Sequence, residues 1–213
     1  MSKLLMWNKN KETGIENTFT VTKSYISALA EPTLSMDCLS TETELLSHIM
    51  AMDSTKNRLA LLEMLEYEKL LEAVSKIPVE DAVAVEMLQL FSDEQWPELL
   101  FEFQGSFRKT SMEFDTVRLH EKKDKRAFYV PSVPSPADWI VFNQTDCVMV
   151  RKITAEESLV IDAIQEGKNI GHISKLMVLE VDDQKLTKLI AGWLDEGLII
   201  DVGVPMPDDS TYD

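Results

Sequence analysis

The sequence predicts an α+β chain in two parts, a mainly helical N-terminal domain followed by a small mixed C-terminal one. Three observations carry this reading. Between residues 40 and 126 the apolar residues recur at helical spacing, split by short polar breaks. Pro131-Ser132-Val133-Pro134-Ser135-Pro136 then sets three prolines in six residues, which no helix crosses, so the domain boundary is expected near it. Beyond it, two alternating apolar runs, three helix-like segments and a β-branched run follow one another between Trp139 and Val202.

Residues 1–39 read as an irregular arm with at most one short helix, anchored by Trp7, Phe19, Val21, Tyr25 and Ile26. Thr41-x-x-Glu44 is a capping-box signature and opens a helix over Ser40–Asp53, with Leu45, Ile49 and Met52 on one face. A longer helix spans Ser54–Lys76, with Leu59, Leu62, Leu65 or Glu66, Leu70 and Val74 expected inward; Pro78 ends it. Val79–Phe91 reads as a third helix with Val83, Met87, Leu90 and Phe91 inward. A fourth starts at Ser92–Pro97 and carries Leu99, Leu100, Phe103 and Phe107. A fifth covers Thr110 to about Lys123. An antiparallel bundle buries such faces through short loops. The expected division is an arm (1–39), a helical domain (40–126), a C-terminal domain (127–205, with a first strand at Ala127–Val130) and an acidic tail (206–213).

Composition narrows the function. The 213 residues carry 37 Asp and Glu against 21 Lys and Arg, a net charge of −16 and a pI near 4.6. Such a chain repels nucleic-acid phosphates and anionic membranes. No apolar run reaches the roughly 18 residues of a membrane span, and the opening residues lack a signal-peptide pattern. Cys38 and Cys147 lie too far apart in sequence to make a disulfide framework, so a reduced, cytoplasmic setting is expected.

In the C-terminal part, Trp139–Phe142 and Cys147–Ile153 flank the polar turn Asn143–Asp146 as a hairpin. Thr154-x-x-Glu157 caps a helix that runs to Glu166 and ends at Gly167. A second helix covers Asn169–Met177. A third carries Leu186, Leu189, Ile190, Trp193 and Leu194 and ends at Gly197, before the strand Leu198–Val202. Strand, strand, helix, helix, helix, strand is a winged-helix-like order. Such modules bind nucleic acid or peptides. From Trp139 to Asp213 there are 6 Lys/Arg against 14 Asp/Glu, which favours a peptide or protein ligand over the rival reading of a transcription regulator.

The hairpin ending in Val148-Met149-Val150, the helix Ala155–Ile164 with Gly167 behind it, and the ending Leu189–Ile199 together resemble the PqqD-like precursor-peptide recognition elements of ribosomal-peptide-modifying systems. Taken with the helical N-terminal part and the proline break, the whole chain resembles the MbnC family of methanobactin-biosynthesis proteins. These are non-catalytic partners of the TIM-barrel, multinuclear iron oxidases of the MbnB type. The resemblance implies a heterodimer that recruits the leader of an MbnA-like precursor peptide, whose cysteines become oxazolone–thioamide groups of a copper chelator. The iron would belong to the partner enzyme, and this chain would hold no cofactor of its own. An equivalent partner of a related iron oxidase acting on another cysteine-containing peptide is the alternative.

The resemblance further implies that the leader adds as a strand to the sheet edge and packs on the third helix. The expected peptide-binding residues are therefore Cys147, Val148, Met149, Val150 and Arg151 on the strand, with Lys185, Leu189 and Trp193 on the helix. Leu189 and Trp193 are equally spaced to face their own core. Arg108–Arg126 carries a net +3, and Arg118, Lys122, Lys123, Lys125 and Arg126 are the expected partner-docking cations; a solvated helix end is the other reading. No catalytic or metal-binding residue is expected. His48, His120 and His172 do not stand at ligand spacing, no Cys-x-x-Cys or phosphate loop occurs, and Cys147, on an expected strand, reads as a buried small hydrophobe rather than a nucleophile.

Overall fold

The computed structural model describes residues 5–8, 19–29, 41–121, 134–145, 147–177 and 183–205. In chain order the elements are strand β1 (Leu5–Asn8), helices α1 (Thr20–Leu29), α2 (Glu42–Met50) and α3 (Thr55–Ser75), strands β2 (Leu100–Phe103) and β3 (Arg108–Met112), helix α4 (Thr116–Glu121), strands β4 (Ala137–Gln144) and β5 (Cys147–Lys152), helices α5 (Ala155–Gln165), α6 (Ile170–Met177) and α7 (Asp183–Asp195), and strand β6 (Ile199–Gly203). The 3₁₀ turns Val85–Leu90 and Trp96–Glu98 lie between α3 and β2. The chain is thus mixed α+β with small antiparallel sheets. Among the described residues no helix is long and apolar enough to cross a membrane.

These elements form two compact units that interleave along the chain. One comprises Met1–Ile77 and Arg108–Lys152; the other comprises Pro78–Phe107 and Ile153–Asp213. The expected boundary near the proline-rich stretch is therefore corrected. That stretch lies within the first unit, because β3 before it pairs with β4 after it. The expected strand Ala127–Val130 and the acidic tail lie outside the described residues.

The first unit is a four-stranded antiparallel sheet in the order β1-β5-β4-β3, with helices on one face. Val141, Val148, Val150 and Met112 from that face join Leu45 and Ile49 of α2, Leu61, Met64, Leu65 and Leu71 of α3, and Tyr25 and Ile26 of α1 in one core. Each such fully buried aliphatic contributes roughly 1.5–3 kcal/mol. The helix ends follow sequence chemistry. Thr41 N donates to Glu44 Oε2 at 2.8 Å and Glu44 N to Thr41 Oγ1 at 3.3 Å, so the capping box of α2 is complete. Ser54 caps α3 through Asn57 N.

The buried stripe of α3 matches the expected one at Leu65 and Val74, with Leu62 and Leu70 partly buried against the core, and departs from it at Leu59. Leu61, Met64, Leu65 and Leu71 face the core and Leu59 is exposed. Leucines at 59, 61, 62, 65, 70 and 71 surround the helix, so spacing alone leaves its phase ambiguous. The stripe also contains Glu68, which is 8% exposed. Its carboxylate accepts from Val21 N at 2.9 Å, Thr22 N at 3.1 Å and the Thr22 hydroxyl. These are first-turn donors of α1, which have no partner inside their own helix and favour a negative charge.

Three expected helices between Val79 and Lys123 are also corrected. Val79–Phe91 is no α-helix: residues 79–84 belong to no regular element, with Val83 N paired to Ile199 O at 2.9 Å, and only the 3₁₀ turn Val85–Leu90 is helical. Leu100-Phe101-Glu102-Phe103 alternates with a period of two and forms β2, paired antiparallel with β6. Arg108–Met112 is a strand, and only the short α4 remains of the fifth helix.

In the second unit α5, α6 and α7 accompany the two-stranded sheet β2–β6. Gly167 (φ 72°) and Gly197 (φ 70°) end α5 and α7 in the left-handed region, as the sequence predicts. Lys168 N then bonds Ala163 O, and Leu198 N bonds Trp193 O. Thr154 caps α5 through Glu157 N at 3.1 Å.

Glu68→Ala strands two backbone donors of α1 and should lower stability by about 2–4 kcal/mol. Glu68→Gln, which keeps an acceptor, should lose less. Urea denaturation followed by circular dichroism checks this, and equal losses for the two variants would contradict the capping role.

Candidate functional site

The expected peptide-binding residues fall in different units. Cys147–Arg151 belong to β5 in the first unit, whereas Lys185, Leu189 and Trp193 belong to α7 in the second. The expected free edge at Cys147–Ile153 is corrected as well. β5 lies inside the sheet, with β4 on one side and β1 on the other in the register Leu5↔Val150, Met6↔Met149, Trp7↔Val148 and Asn8↔Cys147. The chain's own strand thus occupies the pairing position that an incoming peptide was expected to take.

The side chains tell the same story. Val148 and Val150 are core, and Met149 and Arg151 are buried. The Cys147 thiol is half-buried and lies 3.4 Å from Gln144 O and 3.5 Å from Met149 Sδ. Trp193 is fully buried; its indole N–H donates to Glu157 Oε1 at 2.9 Å and its ring meets Phe103 edge-on at 5.4 Å. It is therefore a core residue of its own unit. Lys185 is exposed and lies 3.5 Å from Glu156. Leu189 is half-buried. Of the expected docking cations, Arg118 is exposed on α4, 3.9 Å from Asp115; Lys122, Lys123, Lys125 and Arg126 lie outside the described residues.

A different place in the first unit has the shape of a binding site. An open groove of about 490 Å³ runs between α3 and β3. β3 is the outer strand of the sheet on this side. The helix wall presents Glu63, Glu66, Tyr67, Leu70 and Ala73, which recur at helical spacing on one face; the other wall is Arg108–Met112. Several of the lining residues are fixed by neighbours. The Glu63 carboxylate accepts from Glu113 N at 2.6 Å, Phe114 N at 3.1 Å and the Thr116 hydroxyl, and so pins the turn that follows β3. Lys69 sits at the rim between Glu42 at 3.0 Å and Glu66 at 3.1 Å. Those two partners hold its ammonium above the ordinary lysine range. The Tyr67 ring meets His120 edge-on at 5.3 Å, and His120 Nε2 stands 3.9 Å from Glu68. Burial, reinforced by Glu121 and Glu68, pushes the Tyr67 phenol far above its ordinary value of 10.0.

An outer strand beside a helix offers a ligand backbone hydrogen bonds along one side and side-chain contacts along the other. An apolar floor at Leu70 and Ala73 with charges at the rim suits an extended peptide. The sequence reading missed this groove because it took Thr110 to about Lys123 for a helix, where Arg108–Met112 is a strand. Arg-Lys-Thr-Ser-Met shows no apolar alternation to mark a strand; burial instead rises along it, from exposed Arg108 to buried Met112. Among the described residues no group of three or more His, Cys, Asp or Glu is placed to hold a metal ion. No known protein family, curated protein or solved structure matches the chain.

Tyr67 has a raised folded-state pKa, so its contribution to stability is complete below about pH 10 and is lost as pH rises further. Tyr25, also pushed up by burial, and Lys69 act in the same direction. Tyr67→Phe should therefore flatten part of the alkaline fall in stability, measured as urea midpoints between neutral and strongly alkaline pH. Trp193→Phe removes the donor to Glu157 and should cost about 1–3 kcal/mol, read in the same urea assay.

Proposed function

We propose that the protein is a non-catalytic peptide-recruiting subunit, the partner of a TIM-barrel multinuclear iron oxidase. In this reading it captures the leader of a ribosomally made precursor whose cysteines the oxidase converts to oxazolone–thioamide groups of a copper chelator. The observation that carries the peptide-binding part is the groove between α3 and the outer strand β3. A leader in extended conformation would pair with β3 and set alternate side chains over Leu70 and Ala73. The assignment to an iron oxidase rests on the sequence resemblance to the MbnC family, and the iron would reside in the partner.

The second unit is, in this proposal, the winged-helix-like element. Its α5, α6 and α7 follow the expected order, and β6 closes it. β2, from ahead of the helices, stands where the β4–β5 hairpin was expected. The leader site thereby moves from the edge of β5, which β1 already occupies, to the edge of β3.

The test is binding of a fluorescently labelled leader peptide, with the oxidase co-purified by size exclusion and its iron measured. Ala73→Trp fills the groove from an exposed helix position and should weaken leader binding about tenfold or more while the far-ultraviolet spectrum stays unchanged. Unaltered leader affinity in that variant would remove the groove from the reading. Separate elution of the two proteins would remove the oxidase.

A further inference from the structure

Residues 78–98 of the second unit are exposed along almost their whole length, yet the chain holds them in place from several sides. Glu80 Oε2 accepts from Gly105 N at 2.5 Å, and Val83 N donates to Ile199 O at 2.9 Å. Further along, Leu88 is buried, and Glu98 Oε2 accepts from Asn169 Nδ2 at 2.9 Å. Gly171 backs against Pro97 so closely that a β-carbon there would come within 3.0 Å of it.

What this strap presents outward is unusual for a free surface. Leu90 is 73% exposed, Met87 and Val79 are each 44% exposed, and Val85 is 37% exposed. Large apolar side chains kept in water on a fixed backbone mark an interaction surface, since ordering them gives nothing until a partner covers them. Charge identifies the partner's chemistry. Residues 78–98 contain six carboxylates and no Lys, Arg or His. The side chains of Asp81, Glu86, Asp93 and Glu94 make no hydrogen bond or ion pair with described residues, so they remain available to an incoming cation. Acidic rims around apolar anchors repel anionic lipid and nucleic acid. A second copy, itself at −16, is disfavoured by the same repulsion.

We propose that this strap is the docking surface for a protein partner whose contact face is an apolar depression rimmed by Lys and Arg. Met87 and Leu90 are the anchors, and Glu86, Asp93 and Glu94 steer the encounter. The inference extends the accessory-subunit reading by naming the surface that meets the partner, but it rests on the strap's own exposure and charge.

Two probes test it. The first is an amphipathic helical peptide of Lys and Leu, with binding followed by calorimetry and hydrogen exchange. The second is the iron oxidase. With the peptide, protection should concentrate in residues 79–96. Affinity should fall about tenfold in Met87→Ser/Leu90→Ser and again in Glu86→Lys/Asp93→Lys, and it should weaken with salt. The control Glu166→Lys lies at the exposed C-terminal cap of α5. An equal loss in that control, or protection elsewhere, overturns the proposal. If the oxidase binds and the strap variants bind it as well as the parent chain, the proposal is also overturned. If the oxidase fails to bind while the peptide still protects the strap, the oxidase reading falls and the docking surface stands. Self-association that the strap variants abolish would assign the surface to a second copy and overturn the heterologous partner.

Discussion

Helix α3 organises the first unit because two of its carboxylates leave the helix to satisfy backbone donors far away in sequence. Glu68 holds the first turn of α1, and Glu63 holds the turn between β3 and α4. A carboxylate that accepts several N–H groups is fully hydrogen-bonded and compensates for its own burial. It also fixes geometry more tightly than apolar packing does, since apolar faces slide with little loss. The position of β3 relative to α3, and hence the width of the groove, depends on Glu63. The same helix supplies the groove's far wall, so its inner and outer faces are set by one rigid rod.

Much of this was legible in the sequence where local chemistry decides the outcome. Thr41 and Glu44, Ser54, Pro78, Gly167 and Gly197 mark helix ends, and each marks a real one. The β4–β5 hairpin and the three C-terminal helices follow from alternation and spacing. The failures cluster between Val79 and Met112, where partners far along the chain decide the structure. β2 is a strand because β6 is available to it, and β3 because β4 is. Glu68 was unreadable for another reason: a glutamate amid leucines normally signals the solvent side of a helix, and nothing local reveals that α1 will place two N–H groups against it.

The candidate site was legible only in its chemistry. Pairing of a peptide with a strand edge is the interaction the sequence led one to look for, and in the proposed reading it moves from β5 to β3. The strand itself depended on sheet order, which spacing does not give. Cys147–Lys152 was expected to be an edge, yet its unbroken run of buried residues from Val148 to Arg151 is what an interior strand covered on both faces carries. Trp193 shows the same ambiguity resolved toward the core. An aromatic on a helix face suits a ligand and a protein interior equally well until its indole N–H finds a partner, and here that partner is Glu157.

The interleaving of the two units has a consequence for how the chain is made and dismantled. The backbone passes from one unit to the other after residues 77, 107 and 152. As the chain leaves the ribosome, α1, α2 and α3 emerge long before β4 and β5, the strands that carry much of the sheet beneath them. Their apolar faces must wait through the synthesis of about half the protein, a period in which long-range pairing is unattainable and chaperones have a client. Neither unit is a contiguous stretch of gene, so a single protease cut releases neither one whole. The two have to be inherited, synthesised and degraded together.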